Sequence, residues 1–121
     1  RVVERQVGQS LAVEADAFVV ATGGVLMGGL EIGTDGAVVE TALGLDVCSA
    51  APLAAIGREA TLAALHATGI QTDADFRAGE NVFVTGRTLA HYDPAGELSA
   101  EGVSIVSAWS AAEAAHAMLG D

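Results

Sequence analysis

The residues best equipped for chemistry form one short run, His91-Tyr92-Asp93, just ahead of Pro94. An imidazole close to a carboxylate can take up a proton while a hydride leaves a substrate carbon. The same run also suits a plain turn in which Asp93 bonds the local backbone before proline. Arg77 and Arg87 are the cations nearest to it in sequence. Either can hold an anionic phosphate or carboxylate, or pair with the acids around it. Cys48 is the single cysteine, so an intrachain disulfide is excluded. It reads as a small buried hydrophobe with no base near it. His66, His91 and His116 are too dispersed for a local metal-ligand motif.

Elements must carry these groups to one place. Asp16-Ala-Phe-Val-Val-Ala-Thr-Gly-Gly24 predicts a buried strand over Ala17 to Ala21, apolar on both faces, that stops at a turn. At such a turn backbone, not side chain, faces whatever lies beyond. Asn81-Val-Phe-Val-Thr-Gly86 repeats the pattern and leads into the loop holding Arg87, His91 and Asp93. Thr22-Gly23-Gly24 and Thr85-Gly86 are expected on the same edge of a parallel sheet, the carboxyl edge where open α/β sheets bind ligands. Together they point to a nucleotide- or flavin-binding α/β domain. No Gly-x-Gly-x-x-Gly follows either strand.

Val2 to Arg5 and Ser10 to Val13 read as a β-hairpin joined at Gly8. Gly23 to Gly44 reads as an irregular loop with seven glycines and a turn at Asp35-Gly36. Pro52 to Thr68 predicts a helix, opened by Pro52 and stopped by Gly69. Leu53, Ile56, Ala60, Ala63 and Ala67 share one of its faces. Gly102 to Leu119 predicts a closing helix of small residues, largely buried beneath the sheet. Its start, Gly102-Val103, offers unpaired N–H groups and the positive end of the helix dipole. A glycine there leaves the backbone open to a ligand. An ordinary core helix would look the same.

A chain of 121 residues suits a single domain, here residues 1–121. Its 51% hydrophobic content is largely alanine and valine, and no apolar run approaches the roughly 20 residues of a spanning helix. The alternating start, Arg1 to Gln6, reads as strand rather than signal peptide. Sixteen acidic residues against five arginines and no lysine give a net charge of −11. Nucleic-acid binding is therefore excluded as a leading reading, since it needs a basic face. The scattered acids read as halophile-like adaptation to concentrated counterions, or as a field that steers a cationic partner.

In order and spacing, Phe18-Val-Val-Ala-Thr-Gly-Gly24, Met27-Gly-Gly-Leu30, Gly44-Leu-Asp-Val47, Thr68-Gly-Ile-Gln-Thr-Asp-Ala-Asp-Phe-Arg77, Asn81 to Gly86, Tyr92-Asp-Pro94, Glu97 and Gly102-Val103 form one series. This series resembles the C-terminal part of the B subunit of the anaerobic glycerol-3-phosphate dehydrogenases, a flavoprotein similar to the fumarate reductase and succinate dehydrogenase class. The likeness runs from about Asp16 to about Leu119. It implies a partial FAD/NAD(P)-binding, Rossmann-like α/β fragment of a longer protein, with a small mainly parallel sheet, a β-hairpin and two helices. It further implies oxidation of sn-glycerol 3-phosphate to dihydroxyacetone phosphate, with electrons passed to quinone. The implied cofactor is FMN or FAD. The implied partners are two further subunits of the same enzyme, one catalytic and the other an iron–sulfur membrane anchor. Through them the protein would lie at the cytoplasmic face of the membrane.

By the same resemblance, Thr22, Gly23, Gly24, Gly86, Gly102 and Val103 become cofactor contacts. His91 and Asp93 become candidates for catalysis, and Arg77 and Arg87 for substrate binding. The chain departs from the family in three places. Leu98-Ser-Ala-Glu-Gly-Val103 replaces a run like Gly-Cys-Gly-Ser-Gly-Val, Arg87 stands where an acid is common, and Ala90-His91 precedes Tyr-Asp-Pro in place of Gly-Gly. The worn glycine run also fits a structural or partner-binding domain without cofactor. A fumarate reductase-class flavoprotein for another substrate is a third reading.

Overall fold

In the computed structural model, residues 2–6, 9–49, 64–91 and 98–120 are described, with side chains for 11–49, 64–91, 98–99 and 101–120. The described residues make a mixed α/β structure of small sheets and helix. β1 (Val2–Gln6) and β2 (Gln9–Val13) form the expected antiparallel hairpin, with Val2 opposite Val13 and Gln6 opposite Gln9.

β3 (Phe18–Val20) runs on from this hairpin and pairs in parallel with β8 (Val82–Val84), Phe18 beside Val82 and Val20 beside Val84. Thr85 N–H donates to Val20 O at 3.0 Å, so the parallel ladder extends to the first residue of the second Thr-Gly turn. Side chains alternate across a strand, and the two faces of β8 bury different cores. Val84, with Val82 partly buried beside it, joins Val20, Leu30, Ile70 and Leu89. Phe83 faces the other way, onto Ala111 and Ala115 of the final helix.

That helix, α1, spans Ala100–Leu119. Only a narrow stripe of it is buried: Ser107, Ala111 and Ala115, four residues apart and hence on one face. Ile105, Val106 and Trp109 are exposed. The expectation of a largely buried helix is thus corrected. The Phe83 side chain and, at Ser107, the Gly86 backbone lie under the stripe, but no described element covers the other faces. β3 is not covered on both sides either, since Val19 is 49% exposed. Despite its exposed apolar residues, no helix among the described residues is long and apolar enough to cross a membrane.

The expected mainly parallel sheet is also corrected. The described strands form four separate pairs, of which only β3–β8 is parallel. The segment expected to be an irregular loop, Gly23 to Gly44, contains a 3-10 turn (Val25–Met27) and a second hairpin. Its strands are β4 (Leu30–Ile32) and β5 (Val38–Glu40), joined at the expected Asp35-Gly36 turn. Asp35 Oδ1 accepts the Ala37 N–H at 3.0 Å and so closes the turn. Leu30 is fully buried, which sets the register of this hairpin against the core.

After β5, the buried carboxylate of Glu40 takes the place of a missing strand partner. It accepts the N–H groups of Ala42, Leu43 and Leu45 at 2.8, 2.7 and 3.3 Å. Those bonds fold residues 41–45 back and carry Leu43 and Leu45 against the core.

β6 (Val47–Cys48) then pairs antiparallel with β7 (Gly69–Ile70). Residues 64–67 are helical and Thr68 is not; residues 52–63 of the helix expected from Pro52 lie outside the described residues. Gly69, expected as a helix stop, is instead a strand residue. A side chain there would stand 2.5 Å from Thr88 O, so the glycine serves close passage of the 88–89 backbone. Ile70 in turn bridges to Leu89.

Candidate functional site

The strand ends form the candidate site. The parallel register of β3 and β8 brings Thr22-Gly23 and Thr85-Gly86 to one edge, and a cleft of about 470 Å³ opens there. Ala21, Thr22 and Gly23 make one wall, Thr85, Gly86 and Arg87 the other. Met27 from the 3-10 turn and Ser104 from the first turns of α1 complete the lining. Arg87 is the only charged side chain among these residues, and it is exposed.

Hydrogen bonds fix the two walls to each other and to the helix. Gly86 turns in the left-handed region, at φ 69°, and its N–H donates to Ser107 Oγ at 3.0 Å. Ser107 is 1% exposed, so this bond is sheltered from water. Thr88 Oγ1 donates to Gly23 O at 3.1 Å and ties the second strand end to the first. Gly24 is pressed against Arg87: a side chain on it would come within 2.8 Å of Arg87 O. Thr22, Gly23, Gly24, Gly86 and Arg87 are therefore brought together at this edge.

The other expected residues are placed as follows. Gly102 is exposed at the start of α1, and a Cβ there would meet nothing within 4 Å. Val103 packs partly buried against the main core. Glu101 lies in the first helical turn, and Ser99 caps the helix without a side-chain bond to it. Arg77 is away from the cleft lining. Its guanidinium sits over the Phe83 ring, 5.3 Å from the centroid, with Nε buried and without a partner. A cation over an aromatic face is held by the ring quadrupole, so the structure gives Arg77 a packing role. Asp93 lies outside the described residues.

His91 is not in the cleft lining either. Its Nε2 stands 3.4 Å from Cys48 Sγ. The reading of Cys48 as a buried thiol with no base near it is corrected on both points: Cys48 is half-buried, and a base is supplied from 43 positions away. Pairing of β6 with β7, and of Ile70 with Leu89, brings the two residues together. Among the described residues, no group of three or more His, Cys, Asp or Glu comes together as a metal site.

Ser104, Ser107 and Thr88 belong to the site without having stood out in the sequence. The signal was present in part: hydroxyls at i and i+3 on a helix otherwise rich in alanine, facing one side. Comparison with protein-family models, with curated proteins and with solved structures found no match.

Proposed function

We propose that the chain is part of a flavin-dependent dehydrogenase that oxidises sn-glycerol 3-phosphate to dihydroxyacetone phosphate and passes the electrons toward quinone. One observation carries this reading: two Thr-Gly strand ends lie side by side at the carboxyl edge of a parallel pair, beneath the start of a helix. That edge is where open α/β sheets take nucleotide-like ligands. A cleft of about 470 Å³ falls within the usual size of small-molecule sites.

The residues present fit the edge of a flavin. Gly23 and Gly86 expose backbone where a side chain would intrude, and Met27 gives an apolar flank. Thr22, exposed on the cleft wall, offers a hydroxyl for ring oxygens and nitrogens. The open space at Gly102 leaves the helix start approachable. A bound FMN or FAD would accept hydride from the substrate carbon. The helix start would favour negative charge brought near it, an effect that Glu101 in the first turn opposes, and Arg87 would hold an anionic group of the substrate.

The test uses the full-length protein assembled with its two proposed partners, the catalytic one and the iron–sulfur membrane anchor. A yellow complex whose flavin absorbance bleaches on adding glycerol 3-phosphate supports the proposal. Gly102→Ala separates ligand from fold, because its Cβ enters open space. It should leave thermal stability unchanged or slightly raised, and lower flavin content severalfold. A second reading, a partner-binding domain without cofactor, is favoured by the exposed Ile105, Val106 and Trp109 on α1. A colourless complex that still assembles with the catalytic partner would establish that reading and remove the flavin assignment.

A further inference from the structure

The contact between Cys48 and His91 belongs to neither of these readings. Cys48 Sγ and His91 Nε2 are 3.4 Å apart, within reach of a hydrogen bond to sulfur. The pair is built by long-range structure, not by chance proximity along a loop. Cys48 is fixed by β6, whose partner β7 sits beside Leu89. His91 follows directly, with its N–H bonded to Ala67 O at 2.9 Å and the preceding Ala90 N–H to Ile70 O at 3.0 Å. It adopts φ 66°, a left-handed conformation that a residue other than glycine takes at some cost. Beside the thiol lies a second cleft, of about 680 Å³, lined by Cys48, Asp46, Ile70 and Gln71. Cys48 is half-buried and lines this cleft, and His91 is exposed, so a small molecule can approach the pair.

We propose that Cys48 and His91 form a thiol–imidazole pair that makes Cys48 a site of mixed-disulfide formation with small disulfides. With the proton on Nδ1, His91 Nε2 accepts the S–H proton of Cys48. The resulting thiolate attacks one sulfur of the disulfide. A new S–S bond forms to Sγ, the old S–S bond breaks, and the departing sulfur takes the proton back from the imidazolium as a free thiol. Cys48 is oxidised to the disulfide level and half of the small disulfide is reduced, so the exchange needs no other oxidant. Asp46 in the cleft and the net charge of −11 favour neutral or cationic disulfides over anionic ones. This inference is independent of flavin binding.

The experiment follows release of pyridinethione from dipyridyl disulfide by the full chain at neutral pH, with mass spectrometry locating the adduct on Cys48. Positioned general bases contribute roughly a hundredfold or more, so His91→Asn should slow the reaction at least tenfold. Asparagine is chosen because it tolerates the left-handed backbone at this position. His116→Gln, which removes an exposed imidazole in the last turn of α1, should leave the rate unchanged. Cystamine should react faster than oxidised glutathione. A comparison within the wild type removes dependence on the variant's folding: the native chain should react faster than the same chain unfolded in urea, although folding half-buries the thiol. A native rate below the unfolded rate, or equal rates for wild type and a folded His91→Asn, overturns the proposal.

Discussion

Gly29→Ala tests how the first strand end of the cleft is held. Gly29 has an ordinary backbone conformation but no room. A Cβ there would overlap Gly23 O and lie 2.7 Å from Thr22 Oγ1 and 2.8 Å from the Thr22 carbonyl carbon. Ordinary contacts between such atoms need about 3.5 Å, so two stretches of backbone would have to part by on the order of 1 Å. That movement would strain the Gly29 N–H bond to Gly24 O, 3.2 Å, and the Thr41 N–H bond to Gly29 O, 3.1 Å. Overpacking that backbone must absorb costs about 3 kcal/mol. With a urea slope of about 2 kcal/mol/M, the unfolding midpoint should fall by about 1.5 M, followed by far-UV circular dichroism. Gly28→Ala is the matched control. Gly28 has φ 84° and nothing within 4 Å of its Cβ position, so it carries conformational cost without a clash. The left-handed penalty, partly offset by a stiffer unfolded chain, leaves about 1 kcal/mol. A Gly29→Ala variant within about 0.5 kcal/mol of wild type, or a Gly28→Ala variant that is equally damaging, would refute the reasoning.

Two other perturbations address the hydrogen bonds that shape the site and its approach. Ser107→Ala leaves the Gly86 N–H without its acceptor in a buried place, and should cost about 1–3 kcal/mol. Faster hydrogen exchange at the Gly86 amide would locate that loss at the turn. Glu40→Ala removes the acceptor for three backbone N–H groups, and should cost about 3 kcal/mol by urea denaturation. Glu40→Gln keeps one acceptor oxygen, and its stability should fall between those of Glu40→Ala and wild type.

Short strands ending in Thr-Gly were legible in the sequence because two independent signals coincide in them. Phe18 to Val20 and Val82 to Val84 are apolar runs, and each stops at a residue pair suited to a tight turn. Asp35-Gly36 was legible as a turn for the same local reason, whereas the strands on either side were not. Leu30–Ile32 and Val38–Glu40 have three residues each, too few for alternation to register against a background of glycines. Glu40 gave no sign of burial, since a single acid after two valines reads as solvent-facing until three backbone donors are seen around it. The contact between Cys48 and His91 was out of reach for a different reason. It depends on which short strands pair over 43 positions, and period and propensity do not carry that information.

The exposed face of α1 also decides how this chain can be observed. Its single tryptophan, Trp109, is 69% exposed on that face. An indole already in water changes its surroundings little when the core comes apart, so its emission is a poor witness to unfolding. The same placement makes it a sensitive witness to association. Any surface that seats itself on Ile105, Val106 and Trp109 would strip water from the ring and move its emission to shorter wavelength, with no label attached.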